Sequence, residues 1–463
     1  MPLDPSCKLP PPLDLGHVPA VLWNRAFAKR AKESGAAKPI GIALEQPDGS
    51  VSVFRTEITP DDPALNLRYA ERLLKFLLWA RGGNRILIGG DSELAQSLAS
   101  IYSDNGARAF DFRFMGDRAF RADFEVVGVA LDELPEEREA AVELGGHLDG
   151  CRIGFDLGGS DRKCAAVIDG EVVFSEEIEW DPYFQSDPQY HLDGIRHSLK
   201  SAAEHLPKID AIGGSAAGIY VNNEVRVGSL FRGVPDDVFD ARVRRMFFDL
   251  QDEWNGVPFV IVNDGDVTAL AGSMATGDNG VLGIAMGTSE AVGFVTPQGH
   301  ITHWLNELAF APVDYQESAP ADEWSEDPGV GAQYFSQQAV GRLATEAGFE
   351  FDADTGLPDR LKVVQSKMES GDPAAAGIFE TIGRYFGYAV AHYADFYEIN
   401  QILALGRVTS GAGGDLLLTE AKNVLKTEFP DLAEQIQFRQ PGEKEKRHGQ
   451  AIAAASLPAI SKP

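Results

Sequence analysis

The chain has 463 residues, enough for about three average domains or two large ones. It carries 41 Lys plus Arg against 70 Asp plus Glu, which gives a formal net charge of −29. Because proteins hold nucleic acids and anionic lipids mainly through phosphate neutralisation, this acidic balance excludes general nucleic-acid binding and binding to anionic membranes.

Cysteine and histidine usage argues against a structural metal site. The cysteines Cys7, Cys151 and Cys164 show no Cys-x-x-Cys spacing, and the histidines lack the i, i+4 spacing of a zinc-binding helix. No cationic segment followed by an apolar run marks a signal peptide, and no apolar run approaches the roughly 20 residues of a membrane span. The sequence therefore predicts a cytoplasmic protein without a membrane segment.

The N-terminal third is predicted to be a tail followed by an α/β unit. Residues 1–35 comprise a proline-rich tail and a short helix from Ala20 to Lys32. Residues 36–150, the N-terminal extension, begin with a hairpin and continue with alternating helices and strands, one strand being predicted from Ala109 to Phe114. No phosphate loop or catalytic pair is recognisable there, so the role of the extension is left open.

The rest of the chain alternates strands, turns and helices. Strands are predicted from Arg152 to Val167, from Ala211 to Ile219, from Phe259 to Val262 and from Gly280 to Met286. A long helix is predicted from Ala375 to Tyr397. This order predicts an α/β fold.

The first turn motif is Asp-Leu-Gly-Gly-Ser at residues 156–160, between two strands. Paired glycines let backbone N–H groups approach a phosphate without interference from a Cβ. An acidic residue just before such a turn is well placed to hold Mg²⁺, directly or through water. Taken alone, the motif also fits a plain hairpin turn with a capping aspartate.

Three further motifs follow along the chain. Residues 286–289, Met-Gly-Thr-Ser, offer N–H and hydroxyl groups to a second phosphate, or form a tight turn. Residues 263–264, Asn-Asp, end an apolar strand, where α/β folds place active groups, or cap a helix. Residues 405–411 form a glycine-rich turn suited to the flat face of a nucleotide.

In this order the motifs resemble those of the ROK (repressor, ORF, kinase) family of glucokinase-like sugar kinases, over about two-thirds of the chain. Residues 153–160 resemble the first phosphate motif, 262–269 the catalytic Asn-Asp segment and 403–406 the adenosine motif. The resemblance implies a two-lobed actin-like (ribonuclease H-like) ATPase fold. Its first lobe would comprise residues 151–265 plus 445–463, and its second lobe residues 266–444.

The resemblance implies ATP-dependent phosphorylation of a hydroxyl group on a hexose or related sugar. Asp264 is expected to be the general base, and Asp156 to position Mg²⁺. The sugar is expected to contact Asn263, Glu307 and Ser215. The residues expected to hold ATP are Asp156, Gly158, Gly159, Ser160, Gly287, Thr288, Ser289, Gly406 and Gly411.

The chain departs from the family pattern at several positions. Phe310 stands where the family has a histidine that touches the sugar and ligates zinc, and residues 329–335 lack the cysteines of the zinc loop. A zinc-free relative is therefore expected. Glu290 follows the second phosphate turn and would repel a phosphate unless it points away or holds a cation. Arg407 stands where the adenosine motif of the family usually has a glycine; it is expected to stack on adenine, to block adenine binding or to form a salt bridge at the rim.

Two functional interpretations remain open at this stage. The first is a sugar kinase that uses ATP and Mg²⁺ but no zinc, with a small-molecule sugar and a nucleotide as partners. The second is a non-catalytic, sugar-responsive sensor or scaffold on the same fold. A DNA-binding repressor is not favoured, because the extension carries no basic helix-turn-helix pattern. A homodimer is expected from the family resemblance alone.

Overall fold

The computed structural model describes residues 3, 5–139, 144–440 and 449–460. The predicted lobe boundary between residues 444 and 445, and both chain ends, therefore lie outside the described residues. Among the helices that are described, none combines the length and apolarity that crossing a bilayer requires.

The N-terminal extension contains a mixed four-stranded sheet of order β2-β1-β3-β4, in which β1 is antiparallel to both neighbours and β3 is parallel to β4. Asp62 caps α2 by accepting a hydrogen bond from the Leu65 N–H, and Pro63 occupies the first helical turn. The elements up to the end of the extension are α1 (Ala20–Glu33), β1 (Lys38–Glu45), β2 (Val51–Ile58), α2 (Pro63–Ala80), β3 (Arg85–Gly89), α3 (Ser92–Ile101), α4 (Ala109–Arg113), a π-helical segment (Phe114–Phe120) and β4 (Glu125–Val129).

The strand predicted from Ala109 to Phe114 is wrong, because this segment is helical. Its alternating phenylalanines resemble a strand pattern, but Phe110 and Phe114 stack on one helix face, with ring centroids 5.8 Å apart. Between them, the buried carboxylate of Asp111 accepts hydrogen bonds from Lys75 and Trp79 of α2. These tertiary contacts override the local pattern.

The first lobe is built on a five-stranded sheet of order β11-β8-β5-β6-β7. Strands β5, β8 and β11 are parallel, so their carboxyl ends meet at one edge of the sheet. The elements of this lobe are β5 (Cys151–Leu157), β6 (Asp161–Ile168), β7 (Glu171–Glu179), α5 (Gln189–Ala203), β8 (Ala211–Ala216), β9 (Gly218–Val221), β10 (Glu224–Gly228), α6 (Asp236–Val238), α7 (Met246–Glu253) and β11 (Phe259–Asn263).

The second lobe contains a four-stranded sheet of order β13-β12-β14-β15 with helices packed against it. The last helix, α14, returns to pack on β5 and β8 of the first lobe. The elements are α8 (Asp264–Thr276), β12 (Val281–Met286), β13 (Glu290–Val295), α9 (Gln337–Glu346), α10 (Leu357–Glu369), α11 (Pro373–Tyr393), β14 (Gln401–Leu405), α12 (Gly411–Glu428), α13 (Pro430–Gln435), β15 (Gln437–Arg439) and α14 (Gln450–Ala455).

The N-terminal extension and the second lobe share one hydrophobic core. Phe76 and Trp79 of α2 belong to the same buried cluster as Leu308, Phe335 and Tyr385 of the second lobe, whereas the first lobe has a core of its own. The N-terminal tail runs over the second lobe and is tied to it by hydrogen bonds, for instance from Val18 N–H to Asp314 Oδ1 and from Tyr315 N–H to the Val18 carbonyl. Apolar burial therefore fixes the extension to the second lobe.

Candidate functional site

Asp156 lies near the end of β5, on the sheet edge where the parallel strands terminate. Ser215 is its partner in the register of β8, and the Ser215 hydroxyl donates a hydrogen bond to Asp156 Oδ1. Both side chains are buried. Burial is the main cause that raises the pKa of Asp156, and the Ser215 hydrogen bond opposes it. Ser215, predicted to contact the sugar, thus orients a carboxylate with its hydroxyl.

Lys163 approaches Asp156 from the neighbouring strand. Its Nζ lies 4.0 Å from Asp156 Oδ2 and 3.0 Å from Asp161 Oδ1. The antiparallel register of β5 and β6 pairs Lys163 directly with Asp156. The sequence analysis did not select Lys163. Counting outward from the glycine turn across the hairpin would have found it.

The Gly158-Gly159-Ser160 turn is a tight hairpin turn between β5 and β6. Its backbone is held by the bond from Gly158 N–H to the Asp161 carbonyl (2.9 Å), and Trp180 Nε1 donates to the Gly158 carbonyl (2.7 Å). A Cβ on Gly159 would collide with the Tyr183 ring and hydroxyl. The glycine is therefore required by packing against Tyr183, whatever else the turn binds.

Asn263 is the last residue of β11 and also caps α8. The Asn263-Asp264 segment therefore both ends an apolar strand and caps a helix, the two alternatives that the sequence allowed. Its Oδ1 accepts from Gly265 N–H at 2.7 Å, and its Nδ2 donates to the Gly218 carbonyl at 2.7 Å. Asp264 follows in the first helical turn and accepts from Gly265 N–H at 3.1 Å. It remains partly exposed. Burial, followed by the negative charge of Asp156, raises the pKa of Asp264 to about 6.

Glu307 reaches the same cleft from the second lobe. It follows Asn306, whose backbone is in the left-handed region at φ 52°. Burial, followed by the charge of Asp264, raises the pKa of Glu307 to about 7. The structure thus brings together Asp156, Asp264 and Glu307, which the sequence analysis selected from three distant segments. Such a group of carboxylates suits a divalent cation and the hydroxyl groups of a polyol.

Asp266 is a further carboxylate that the sequence analysis missed. It is buried two residues after Asp264 in the first turn of α8 and accepts hydrogen bonds from Asn306 Nδ2 (3.0 Å) and Phe294 N–H (3.3 Å). Burial raises the pKa of Asp266 to about 8, although both hydrogen bonds lower it. Asp266 therefore links α8 to the segment that carries Glu307.

The second phosphate turn joins β12 to β13 and faces solvent. Thr288 and Ser289 are exposed, and the Gly287 N–H donates to the Ser289 carbonyl at 3.0 Å. Glu290 points the other way: it is 4% exposed and lies against Gly331 and the Tyr393 hydroxyl. Burial, followed by the charge of Glu307, raises the pKa of Glu290 to about 8. The raised pKa favours the neutral form of Glu290, and its side chain is buried away from the exposed turn.

The adenosine-type turn follows β14. Gly406 has φ 100°, and a Cβ there would collide with the Met286 carbonyl, so the close approach of this turn to β12 requires glycine. Gly411 starts α12 with φ 65°. Arg407 is exposed between them, and its carbonyl accepts from Gln365 Nε2 at 2.8 Å. No rim salt bridge of Arg407 is found in the part of the chain that the structure describes.

Phe310 packs into an aromatic cluster supplied largely by the N-terminal extension. Its ring centroid lies 4.6 Å from Trp79, 5.2 Å from Trp324 and 6.5 Å from Phe110. Residues 329–335 are buried beside this segment, and Gly331 N–H donates to the Ala311 carbonyl at 3.1 Å. Hydrophobic packing therefore holds Phe310 and residues 329–335 in place.

A cavity of about 300 Å³ lies next to Asn263, between the extension and both lobes. Gln46 and Phe120 of the extension, Asn223 of the first lobe and Trp304 of the second lobe are among its lining residues. Asp264 and Glu307 do not line it. The extension thus closes one side of the space that adjoins the candidate site.

Comparison with known proteins links the chain to sugar kinases. A glucokinase of Halalkalibacterium halodurans is 26% identical over 307 residues, which cover 62% of this chain and 89% of the relative. The crystal structure of a ROK hexokinase from Thermus thermophilus matches with a TM-score of 0.50 and 18% identity, covering 66% of this chain and 97% of that chain. A crystal structure from Cytophaga hutchinsonii, described as a candidate sugar kinase, matches with a TM-score of 0.50 and 14% identity, covering 66% and 98%.

No protein-family model matches the chain. The glucokinase match nevertheless confirms the resemblance to glucokinase-like sugar kinases that the motifs indicated. The two solved structures confirm the two-lobed actin-like fold.

Proposed function

We propose that this chain is an ATP-dependent sugar kinase that transfers the γ-phosphoryl group to a sugar hydroxyl. The observation that carries the proposal is the convergence of Asp156, Asp264 and Glu307 in one cleft, each with a raised pKa. Perturbed carboxyl groups that cluster in a cleft are typical of catalytic sites. The similarity to a glucokinase supports the same reaction class.

Asp264 is the proposed general base. With its pKa raised to about 6 it is mainly ionised at pH 7 and able to accept the proton of an attacking hydroxyl. The hydrogen bond from Gly265 N–H to Asp264 Oδ1 holds the carboxylate at the start of α8 and leaves Oδ2 available for the sugar. Glu307 and Asn263 are the proposed sugar-binding residues, because carboxylate and amide oxygens pair with sugar hydroxyls.

Asp156 is the proposed residue for holding Mg²⁺, directly or through water. Its environment fits, because Ser215 fixes the carboxylate through Oδ1 while Lys163 stays 4.0 Å from Oδ2, beyond hydrogen-bond distance, so Oδ2 can serve as the oxygen ligand that this ion prefers. When bound, Mg²⁺ supplies positive charge that offsets the negative charge of the phosphates. Lys163 adds a fixed positive charge at the same edge of the sheet.

The phosphates of ATP are proposed to lie between the two glycine turns. Thr288 and Ser289 present exposed hydroxyl and N–H groups, and the burial of Glu290 removes the repulsion that the sequence alone suggested. The turn at Gly406 to Gly411 is the proposed nucleoside-binding segment, with Arg407 exposed at its rim.

The test is a coupled assay of ADP release over hexoses, amino sugars and polyols, with Mg-ATP as donor. The proposal expects sugar-dependent ADP release by the wild-type protein. Absence of turnover with every acceptor, while a sugar still raises the midpoint of thermal unfolding, would contradict it.

One observation favours the alternative, a non-catalytic sugar-responsive sensor or scaffold. Tyr183 packs directly on Gly159, and Arg232 lies 3.9 Å from the Tyr183 ring centroid, so one side of the first phosphate turn is covered. A sensor would be stabilised by a sugar and show no further effect of Mg-ATP. Thermal unfolding with the sugar alone, and with the sugar plus Mg-ATP, separates the two functions.

A further inference from the structure

The carboxyl end of α2, in the N-terminal extension, is hydrogen-bonded to the backbone of residues 305–307. The last carbonyls of a helix have no partner within the helix and need one elsewhere. Here they accept hydrogen bonds from three consecutive N–H groups of the second lobe. The pairs are Glu307 N–H to Trp79 (3.0 Å), Asn306 N–H to Ala80 (3.1 Å) and Leu305 N–H to Arg81 (3.4 Å).

The Arg81 side chain extends this contact beyond the backbone. Its guanidinium carbon lies 3.2 Å from the centroid of the Trp304 ring and 5.0 Å from that of Tyr397, and it donates a hydrogen bond to the Phe396 carbonyl. The two rings also contact each other edge to face, with centroids 5.6 Å apart, and a planar cation against both is held by cation–π attraction and packing. Arg81 therefore fixes Trp304 and Tyr397 relative to α2.

Tyr397 in turn fixes Asn306. The Tyr397 hydroxyl donates to Asn306 Oδ1 at 3.1 Å, and Asn306 Nδ2 donates to Asp266 Oδ1 at 3.0 Å. Asn306 is buried and has a left-handed backbone, a conformation that side-chain hydrogen bonds stabilise in asparagine. Because Asn306 directly precedes Glu307, its backbone geometry sets the direction of the Glu307 side chain.

We infer that the N-terminal extension holds the segment that carries Glu307 in the geometry needed for sugar binding, and that Arg81 is a positioning residue for Glu307. Arg81 acts through Tyr397 and Asn306 and makes no contact with the substrate. This inference rests on the proposed function, since it assigns Glu307 to sugar binding. It also gives the extension a role: it completes the segment that the second lobe presents to the cleft.

The test measures sugar affinity directly, without phosphoryl transfer. Titration calorimetry of D-glucose, D-mannose and N-acetyl-D-glucosamine, in the absence of nucleotide, gives the Kd of the wild type and of three variants. Tyr397→Phe removes a single hydroxyl group and should weaken sugar binding about fivefold, the effect of one hydrogen bond of ordinary strength. Arg81→Ala should weaken it further, and Arg81→Lys should restore part of the loss.

The control is Arg85→Ala in the same extension. Arg85 is exposed and pairs with Glu45 and Glu125, so its loss should leave the sugar Kd unchanged. The KM for ATP should stay within about twofold of wild type in every variant, because Arg81 and Tyr397 do not contact the phosphate turns.

The outcomes separate the inference from the function on which it rests. If Tyr397→Phe and Arg81→Ala lower only the midpoint of thermal unfolding and leave the sugar Kd unchanged, the positioning role is refuted while the proposed function stands. If Arg81→Ala does not fold, the milder Tyr397→Phe decides. If the wild type binds none of the three sugars and no acceptor of the ADP-release panel is turned over, the proposed function fails, and the positioning role falls with it.

Discussion

The buried carboxyl group of Glu290 should make the protein less stable as the pH rises toward 8. Its pKa is raised to about 8 in the folded state, whereas an unfolded glutamate has a pKa of about 4.3. Between these values the folded protein holds a proton that the unfolded chain has released, so the free energy of unfolding falls with rising pH. The slope for one proton is about 1.4 kcal/mol per pH unit, which amounts to a few kcal/mol over the window.

Glu290→Gln keeps the size of the side chain and removes this titration. Urea unfolding at pH 5, 6.5 and 8, followed by tryptophan fluorescence, gives the free energy of unfolding of both proteins. Asp264 and Asp266 also titrate but are common to both, so their contribution largely cancels in the difference, while the coupling of Glu290 to the charge of Glu307 is part of the effect that the variant removes. The variant should gain on the wild type by roughly 1 kcal/mol or more per pH unit between pH 5 and 8.

The exposed Glu350→Gln serves as the matched control, since it should show no gain that grows with pH. A constant difference between Glu290→Gln and wild type from pH 5 to pH 8 would refute the reasoning, because a buried carboxyl that stays protonated must produce the slope. The effect on catalysis should be small: the KM for ATP of Glu290→Gln should remain close to that of wild type.

The remaining predictions concern the phosphate side of the cleft. Ser215→Ala removes the hydrogen bond that orients the buried carboxylate of Asp156, the residue proposed to hold Mg²⁺ beside ATP. It should therefore lower kcat about tenfold or more and leave the sugar Kd unchanged in titration calorimetry. Thr288→Ala should raise the KM for ATP severalfold in the coupled assay with little change in the KM for sugar; equal changes in both would argue against phosphate binding at that turn. Excess EDTA should abolish ADP release and added Mg²⁺ should restore it, since the clustered carboxylates need a cation beside the polyphosphate. Full activity in the chelator would count against a metal at Asp156.

Much of the fold could be predicted because local signals and tertiary contacts agree in the two lobes. The strand-turn-strand motifs around Gly158 and Gly287 and the strand that ends at Asn263 have strong local patterns, and the structure places them as expected. The family resemblance ordered these motifs along the chain. Proximity of Asp156 and Asp264 then follows from the way parallel strands end at one sheet edge, whereas Glu307 arrives from the second lobe through a segment that no strand pattern places.

The extension could not be interpreted in the same way. Its contact with the site consists of backbone carbonyls at a helix end, which no residue pattern reveals, and of Arg81, whose partners lie more than two hundred residues away along the chain. Phe310 looked like the loss of a ligand, and only the structure shows the aromatic partners that it packs against. The helix at Ala109–Arg113 was missed because its charged contact, from Lys75 to Asp111, is likewise tertiary.

The proposed sugar phosphorylation by this chain requires Asp264 as the proton acceptor. Asp264→Asn keeps the size of the side chain and its position at the start of α8, but removes its basicity. The decisive measurement is kcat by ADP release together with the sugar Kd by titration calorimetry in the same preparation. The account predicts that kcat falls by about 10²- to 10⁴-fold while the sugar Kd stays close to that of wild type. Wild-type turnover by Asp264→Asn would contradict it.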